Sequence, residues 1–278
     1  DLVYDLLAEA YFGEHPLARP ILGSHDQIAS IGREALLTFK KKHYRPDNTV
    51  LAIAGQFDKT QFRDMAERLL GGWHAEGETH IPASVESTKP RMLTRKKDIE
   101  QVHMCLAFPG VEQDNDALYP ISVMNNLFGG GMSSRLFQRI REEMGAAYSV
   151  YSFPSTYTNC GTFTVYAGTS PETAQKVADE LHNQIRLLRD SGVTQEEFDM
   201  AKEQLKVSYV LGLESSSSRM SAIGRSKLLR GCAVDPQDVI RKIEAVTKED
   251  VERAAHEMFS KPFSASAVGR NVEGLKLM

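Results

Sequence analysis

Two residues in the middle of the sequence, Arg141 and Tyr148, carry side chains that could stabilise negative charge in a reaction. The guanidinium group of arginine is always charged, and the phenolic O–H of tyrosine is a hydrogen-bond donor. Each residue also has an ordinary structural interpretation: Arg141 could be a solvated helix residue, and Tyr148 could pack on a sheet. They stand seven positions apart, across the end of a helix predicted over Ser133–Glu143.

Three consecutive glycines, Gly129, Gly130 and Gly131, precede that helix, and Ser133 and Ser134 follow them. A glycine-rich loop before a helix could cradle a phosphate, but no Lys-Ser/Thr pair follows the glycines and no strand immediately precedes them. The second interpretation is a turn that breaks the chain between two helices. The residues alone favour the turn over the phosphate site.

The histidines and cysteines do not form a metal motif. No two of the eight histidines are four positions apart, so no helical turn presents a pair of imidazoles to one metal ion. Cys105, Cys160 and Cys232 are widely spaced. This pattern predicts free thiols in a reducing compartment, and we expect a cytoplasmic protein.

The composition argues against two further classes of partner. Hydrophobic residues make up 41% of the chain and charged residues 25%, as in ordinary globular proteins. The net charge is −4, and no basic run is long enough to suggest nucleic acid. No apolar stretch approaches the ~20 residues that a membrane span needs. We therefore expect neither a nucleic-acid partner nor a membrane.

Hydrophobic periodicity after Pro90 predicts an α+β fold. Short connections between strands indicate antiparallel pairing, and the long helices that follow indicate a mostly antiparallel sheet covered by helices on one side. One of those helices begins at Pro171, and another begins after the capping-box sequence Thr194–Glu197. The predicted strands are Val102–Phe108, Tyr148–Ser155 and Thr162–Ala167, and a helix is predicted over Ala117–Phe128.

The two ends of the chain carry a similar pattern. A helix predicted over Ile28–Tyr44 is stopped by Pro46 and followed by a predicted strand over Val50–Gly55. A helix predicted over Ile243–Phe259 is followed by a predicted strand over Ser264–Gly269. The apolar positions of the two helices match, which favours a duplicated domain. The polar segment Gly71–Pro90, punctuated by glycine and proline, is the predicted interdomain linker.

The sequence resembles the M16 zinc peptidases, the pitrilysin, insulinase and mitochondrial-processing-peptidase family, and within it the bacterial processing-protease branch. The resemblance covers essentially the whole chain and is strongest over Phe12–Gly23, Gly129–Tyr148 and Gly161–Gly168. It implies tandem duplicated α+β domains of the LuxS/MPP-like metallohydrolase type. Residues 1–84 would be the C-terminal portion of the metal-bearing domain, and residues 85–278 would be a complete second domain that closes a substrate chamber.

The resemblance also implies a function and a set of site residues. The full-length protein would be a zinc metalloendopeptidase, with its zinc ligands upstream of Asp1. Arg141 and Tyr148 would be catalytic, donating to the substrate carbonyl or to the oxyanion. The substrate would be a peptide or extended polypeptide, and the subunit would form a homodimer or a heterodimer with another M16 subunit. Substrate-binding residues would be Gly129, Gly130, Gly131, Ser133 and Ser134.

An alternative from another class stays open. The chain could belong to a non-catalytic M16-like partner or scaffold subunit whose natural form lacks the zinc motif. The residues that precede Asp1 in the full-length protein would distinguish the two functions, because only the peptidase needs an H-x-x-E-H motif there.

Overall fold

The computed structural model describes residues 2–74, 82–85 and 89–278. Residues 75–81 and 86–88 of the predicted linker therefore lie outside the described residues. Contacts divide the chain into two units. The first holds the described residues of Asp1–Ile21, Ala83–Val207 and Ile240–Met278, and the second holds those of Leu22–Pro82 and Ser208–Val239. This contact-based division groups the first helix with the later residues, whereas the domain boundary near residue 84 stays a prediction.

Ten α-helices and one π-helix are present among the described residues. The π-helix is Phe137–Glu143. The α-helices are α1 (Leu2–Phe12), α2 (His25–Ser30), α3 (Arg33–His43), α4 (Lys59–Leu70), α5 (Leu118–Phe128), α6 (Ala174–Ser191), α7 (Gln195–Gly212), α8 (Ser216–Arg230), α9 (Pro236–Ala245) and α10 (Lys248–Phe259).

The first unit is built on a five-stranded sheet. Its strands are β1 (Met92–Lys96), β2 (Val102–Pro109), β3 (Ala147–Thr156), β4 (Gly161–Thr169) and β5 (Ser264–Gly269). Their order in the sheet is β1-β5-β2-β4-β3. The β1–β5 pair is parallel and the other three pairs are antiparallel. The predicted fold class, an α+β fold with a mostly antiparallel sheet covered by helices, is confirmed.

One face of this sheet packs against helices α5, α6 and α10. In β2 the side chains of Met104, Leu106 and Phe108 alternate onto this face, and all three are almost completely buried. Phe108 meets Phe259 of α10 edge-to-face at a centroid distance of 5.0 Å. Burial of such side chains contributes about 1.5–3 kcal/mol each, so this layer is the main source of stability in the first unit.

The other face of the sheet is covered by α1. Its apolar spacing predicts a helix, but the sequence did not predict that this helix packs on the sheet. Leu6 and Leu7 of α1 are buried with Cys105 and Val268. The hydroxyl of Ser266 in β5 donates to the carbonyl of Val3 at 2.7 Å. The prediction of helices on one side only is wrong, because α1 packs against β2 and β5 on this second face and every residue of β4 is buried.

Several predicted elements are confirmed within a few residues. The strands predicted over Val102–Phe108 and Ser264–Gly269 are β2 and β5, and those at 148–155 and 162–167 lie within β3 and β4. The capping box before α7 is formed: the backbone N–H of Glu197 donates to the Thr194 hydroxyl at 3.2 Å, and the N–H of Thr194 donates to the Glu197 carboxylate at 2.9 Å.

The second unit differs from the prediction in two places. The strand predicted over Val50–Gly55 is not formed, because a strand needs a neighbour for its backbone groups and no strand lies among the described residues of this unit. The helix predicted over Ile28–Tyr44 is divided into α2 and α3 at Gly32. Gly32 takes the N-cap position of α3 with extended backbone angles, since glycine is a poor interior helix residue but a tolerated cap.

The helical segment after the glycines is attached to α7 by a largely buried ion pair. The guanidinium group of Arg135 donates to both carboxylate oxygens of Glu197, at 2.6 and 2.8 Å, and to the carbonyl of Gly192 at 3.0 Å. These hydrogen bonds lower the pKa of Glu197 to about 2. The same carboxylate closes the capping box of α7, so one side chain ties two helices together.

The Arg135–Glu197 pair predicts a specific acid sensitivity. The folded pKa lies below the ordinary value of about 4.3, so the pair's stabilisation is complete above about pH 5 and is lost as pH falls towards 2. Urea unfolding between pH 3 and pH 6 should therefore show a smaller acid-dependent loss in Glu197→Gln than in wild type. The exposed neighbour Glu196→Gln is the control. An unchanged pH dependence in Glu197→Gln would contradict this assignment.

The first glycine of the triplet is required by close packing. Gly129 follows α5 directly, and its carbonyl accepts a hydrogen bond from the N–H of Ser152 in β3 at 3.0 Å. A Cβ atom at Gly129 would lie 2.5 Å from the Ser152 hydroxyl and 2.6 Å from its backbone nitrogen. At Gly131 a Cβ would have no neighbour within 4 Å.

This difference predicts opposite outcomes for two alanine substitutions. Gly129→Ala should lower the free energy of unfolding by about 1–3 kcal/mol, because α5 or β3 must move to admit the methyl group. Gly131→Ala should change it by less than about 0.5 kcal/mol. Urea unfolding of the two variants measures both values, and equal effects would contradict the packing described.

Candidate functional site

Arg141 lies on the π-helix that follows the glycine loop. The N–H of Met144 bonds to the carbonyl of Arg139 at 3.1 Å, five residues back, which is the π-type connection. Leu136 and Ile140 anchor the same segment in the core, where both are fully buried. π-Helical turns are rare and occur frequently at functional sites. The π-turn therefore determines where the Arg141 side chain points, and the buried residues Leu136 and Ile140 hold the turn in place.

The chain reverses at Gly145, between the π-helix and β3. Gly145 has a φ of +57°, in the left-handed region that suits glycine. The next N–H, of Ala146, bonds to the carbonyl of Ile140 at 3.0 Å and closes the helix end. The carbonyl of Ala146 accepts a hydrogen bond from the Thr169 hydroxyl at the end of β4. Because of these bonds, β3 begins next to the end of the π-helix.

Tyr148 is the extra residue of a β-bulge at the start of β3. Ala147 pairs with Thr169 and Ser149 pairs with Gly168, so Tyr148 has no partner in β4. Strict alternation would place Tyr148 on the same buried face as Val150. The bulge instead leaves Tyr148 exposed, at 72% of its full accessible surface. Bulges redirect side chains in this way and are common beside functional sites.

The reversal and the bulge bring Arg141 and Tyr148 together. The Cζ atom of Arg141 lies 5.3 Å from the ring centroid of Tyr148 and 4.8 Å from that of Phe137. Both distances are within the range of cation–π attraction. The Arg141 side chain is 40% exposed, and its Nε is 4.0 Å from the Glu142 carboxylate, beyond hydrogen-bond distance. The pair therefore presents guanidinium and phenolic donors to solvent.

The other two arginines of this segment are held by carboxylates. Arg135 is paired with Glu197. Arg139 contacts Glu143 at 2.6 Å and Glu180 at 3.1 Å. Their charges are neutralised within the protein. Of the three, Arg141 is the one whose donors the local structure leaves open to a ligand.

The glycine loop lies at the opposite end of the same helical segment. Gly129 and Gly130 are packed against neighbouring backbone, and Gly131 is not. Ser133 is exposed, but Ser134 is fully buried, and its hydroxyl lies 3.5 Å from the N–H of Phe137 in the first helical turn. The accessible part of the loop is therefore Gly130 to Ser133, and a role of the loop in binding stays a prediction.

The sequence did not identify Phe137 as part of the site. Its ring packs under the Arg141 guanidinium, four residues along the helix. That spacing places two helical side chains on one face and is readable in sequence. The bulge at Tyr148 leaves no comparable signal, because it depends on the register with β4.

The described residues do not fit a zinc ion. Residues 2–74, 82–85 and 89–278 contain no group of three or more His, Cys, Asp or Glu side chains that could hold a metal. The histidines near the sheet have structural partners. His103 bonds to the Tyr166 hydroxyl at 2.8 Å, and burial lowers the pKa of its imidazole.

In the described part of the chain, no helix is both long enough and apolar enough to span a membrane.

Comparison with curated proteins gives a consistent set of relatives. The chain is 37% identical to YmxG, an uncharacterized zinc protease of Bacillus subtilis, over 96% of this chain and 65% of that protein. It is 34% identical to an uncharacterized zinc protease of Streptomyces coelicolor, over 97% of this chain and 60% of that protein. The chain thus spans less than two thirds of the length of these relatives.

Comparison with solved structures supports the same fold. The crystal structure of a peptidase M16 inactive domain from Pseudomonas fluorescens matches with a TM-score of 0.86 at 23% identity, over 99% of this chain and 66% of that chain. Residues 30–205, which include Arg141 and Tyr148, match the family model of the peptidase M16 inactive domain. The match to the family model covers more than half of this chain, so the chain belongs to the peptidase M16 family.

Proposed function

We propose that this chain is the substrate-binding part of a zinc metalloendopeptidase that hydrolyses peptides or unfolded polypeptide segments. The observation that carries the proposal is the meeting of Arg141 and Tyr148 at the helix end, with their donors exposed. The neighbouring arginines are neutralised by carboxylates, so the arrangement singles out one guanidinium group for an external acceptor.

Peptide hydrolysis explains why such donors would be useful. Attack on a peptide carbonyl moves negative charge onto its oxygen. A charged guanidinium and a phenolic O–H hold that charge more strongly than they hold the neutral carbonyl, so they favour the transition state over the bound substrate. Phe137 and Tyr148 restrict the position of the guanidinium before substrate binds, which reduces the entropy lost on forming the bond.

The names of the relatives support zinc as the cofactor of the full-length protein. Zinc supplies Lewis-acid activation of water and carbonyl groups in peptidases. Its ligands would lie outside the described residues, in the metal-bearing half of the subunit. The substrate would be an extended peptide, and the subunit would act as a homodimer or as a heterodimer with another M16 subunit. Cys105, Cys160 and Cys232 are free thiols, which supports a cytoplasmic location.

A non-catalytic partner subunit is the second candidate function. The description of the matching family model, an inactive domain, fits a domain that serves a catalytic neighbour. Zinc content and chelator-sensitive peptidase activity of the full-length protein distinguish the two functions. A full-length protein without zinc and without activity would support the partner.

The peptidase function predicts a loss of turnover when either donor is removed. Arg141→Ala and Tyr148→Phe in the full-length enzyme should each lower kcat by about 10²–10³, the usual effect of removing a donor aimed at developing charge. Arg141→Ala should be the worse because it removes a charged donor. Zinc content should stay at the wild-type value, since neither residue would ligate the metal.

Matched variants control for general effects. Arg186→Ala removes an exposed arginine from α6, and Tyr157→Phe removes a phenolic hydroxyl near the far end of β3. Arg135 and Arg139 are unsuitable controls because their ion pairs tie helices together. If Arg141→Ala and Tyr148→Phe retain the kcat/KM of these controls at equal zinc occupancy, the two residues have no catalytic role.

A further inference from the structure

The π-turn that carries Arg141 is held from outside the helix. π-Helical hydrogen bonding is less favourable than the α-helical pattern and persists only where the surroundings enforce it. Both the backbone and the side chain of Arg139 are held by hydrogen bonds. Its carbonyl accepts the π-type bond from Met144, and its guanidinium group bonds to Glu180 of α6 at 3.1 Å. The backbone irregularity and the ion pair therefore share one residue.

The surroundings of Glu180 restrict the position of its carboxylate. Its side chain is only 13% exposed. Besides Arg139, the amide of Gln184 donates to Glu180 at 2.8 Å and the amide of Asn183 lies at 3.4 Å. Burial favours the neutral acid, but these hydrogen bonds and the arginine outweigh it and hold the pKa of Glu180 below its usual range. A buried, multiply bonded carboxylate has little freedom to move.

Loss of this anchor would change the direction of Arg141. In an α-helix each residue turns about 100° and rises about 1.5 Å. Relaxation of the π-turn by one residue would therefore rotate Arg141 by about 100° relative to Arg135, which Glu197 fixes independently. A rotation of that size would carry the guanidinium group away from the rings of Phe137 and Tyr148.

We propose that Glu180 is a positioning residue, which holds Arg139 and the π-turn so that Arg141 is directed at the substrate beside Tyr148. The catalytic consequence of this proposal rests on the proposed function. Its structural part, the dependence of the Arg141 position on Glu180, does not.

A double-mutant cycle in the full-length enzyme tests the catalytic part. Glu180→Gln keeps the volume of the side chain but removes its charge. It should lower kcat/KM about tenfold when Arg141 is present, because small misplacements of a catalytic group are costly. In the Arg141→Ala background the same change should have no further effect. Asp179→Asn, an exposed carboxylate on the same helix, is the control. Equal effects of Glu180→Gln in both backgrounds would overturn the proposal, since a purely structural role is additive.

Nuclear magnetic resonance of arginine-labelled full-length protein tests the structural part without activity. The rings of Phe137 and Tyr148 should shift the Nε–H resonance of Arg141, assigned by its loss in Arg141→Ala. Glu180→Gln should move that resonance towards the resonance of exposed Arg186. Arg139→Gln removes the other partner of the Arg139–Glu180 ion pair and should move the Arg141 resonance in the same direction. An unmoved resonance in both variants would overturn the positioning role.

The two measurements separate the possible failures. If Arg141→Ala leaves turnover unchanged, the proposed function is wrong, while the resonance of Arg141 still decides whether Glu180 positions it. If Arg141 is essential but Glu180→Gln is additive with Arg141→Ala, the positioning role is wrong and the proposed function stands.

Discussion

The left-handed turn at Gly145 is the constraint on which the candidate site depends. It lies between the π-helix and β3, and its φ of +57° is one that few residues with a Cβ adopt. Without that turn, Arg141 and Tyr148 would leave the helix end in different directions. The bond from Ala146 to Ile140 holds the turn closed. The cation–π contact is thus a consequence of backbone geometry more than of side-chain attraction, which contributes only about 0.5–1 kcal/mol at exposed sites.

The rest of the first unit makes that turn rigid. The helical segment 135–143, which includes the π-helix, is anchored on one side by Leu136 and Ile140 in the core. On the other side, Arg139 and Arg135 form ion pairs with α6 and α7. β3 is at the edge of the sheet, where β4 is its one strand neighbour among the described residues, so a bulge at Tyr148 disrupts few hydrogen bonds. Irregular backbone is concentrated at one place, and regular packing surrounds it. Enzymes commonly arrange their sites in this way.

The sequence predicts the regular parts of this fold well and the irregular parts poorly. β2 and β5 are short apolar runs bounded by turn residues, so their positions are readable from local pattern. The bulge at Tyr148 depends on the register with β4, and the π-turn depends on Arg139 and Glu180, which are 41 residues apart. Neither leaves a local signal. The covering of the second sheet face by α1 was missed for the same reason, since it is a long-range contact.

The sequence was enough to name Arg141 and Tyr148 as candidate site residues, but it did not predict how their side chains are arranged. The resemblance to the M16 family named Arg141 and Tyr148 from their spacing. Phe137 was missed, although its four-residue separation from Arg141 is readable in sequence, whereas the neutralised state of Arg135 and Arg139 required the structure. The strand at Val50–Gly55 shows the opposite error: an apolar run has strand character, but a strand forms only beside a partner.

Affinity for a transition-state mimic tests whether Arg141 stabilises developing charge. A phosphinic peptide carries a tetrahedral anion where the substrate has a scissile carbonyl, and the matching uncleaved peptide ketone carries a neutral group. If Arg141 stabilises developing charge, Arg141→Ala in the full-length enzyme should weaken binding of the phosphinic peptide about 10²-fold and of the ketone only slightly. Equal weakening of the binding of both ligands, or no weakening of either, would show that Arg141 does not stabilise the developing charge.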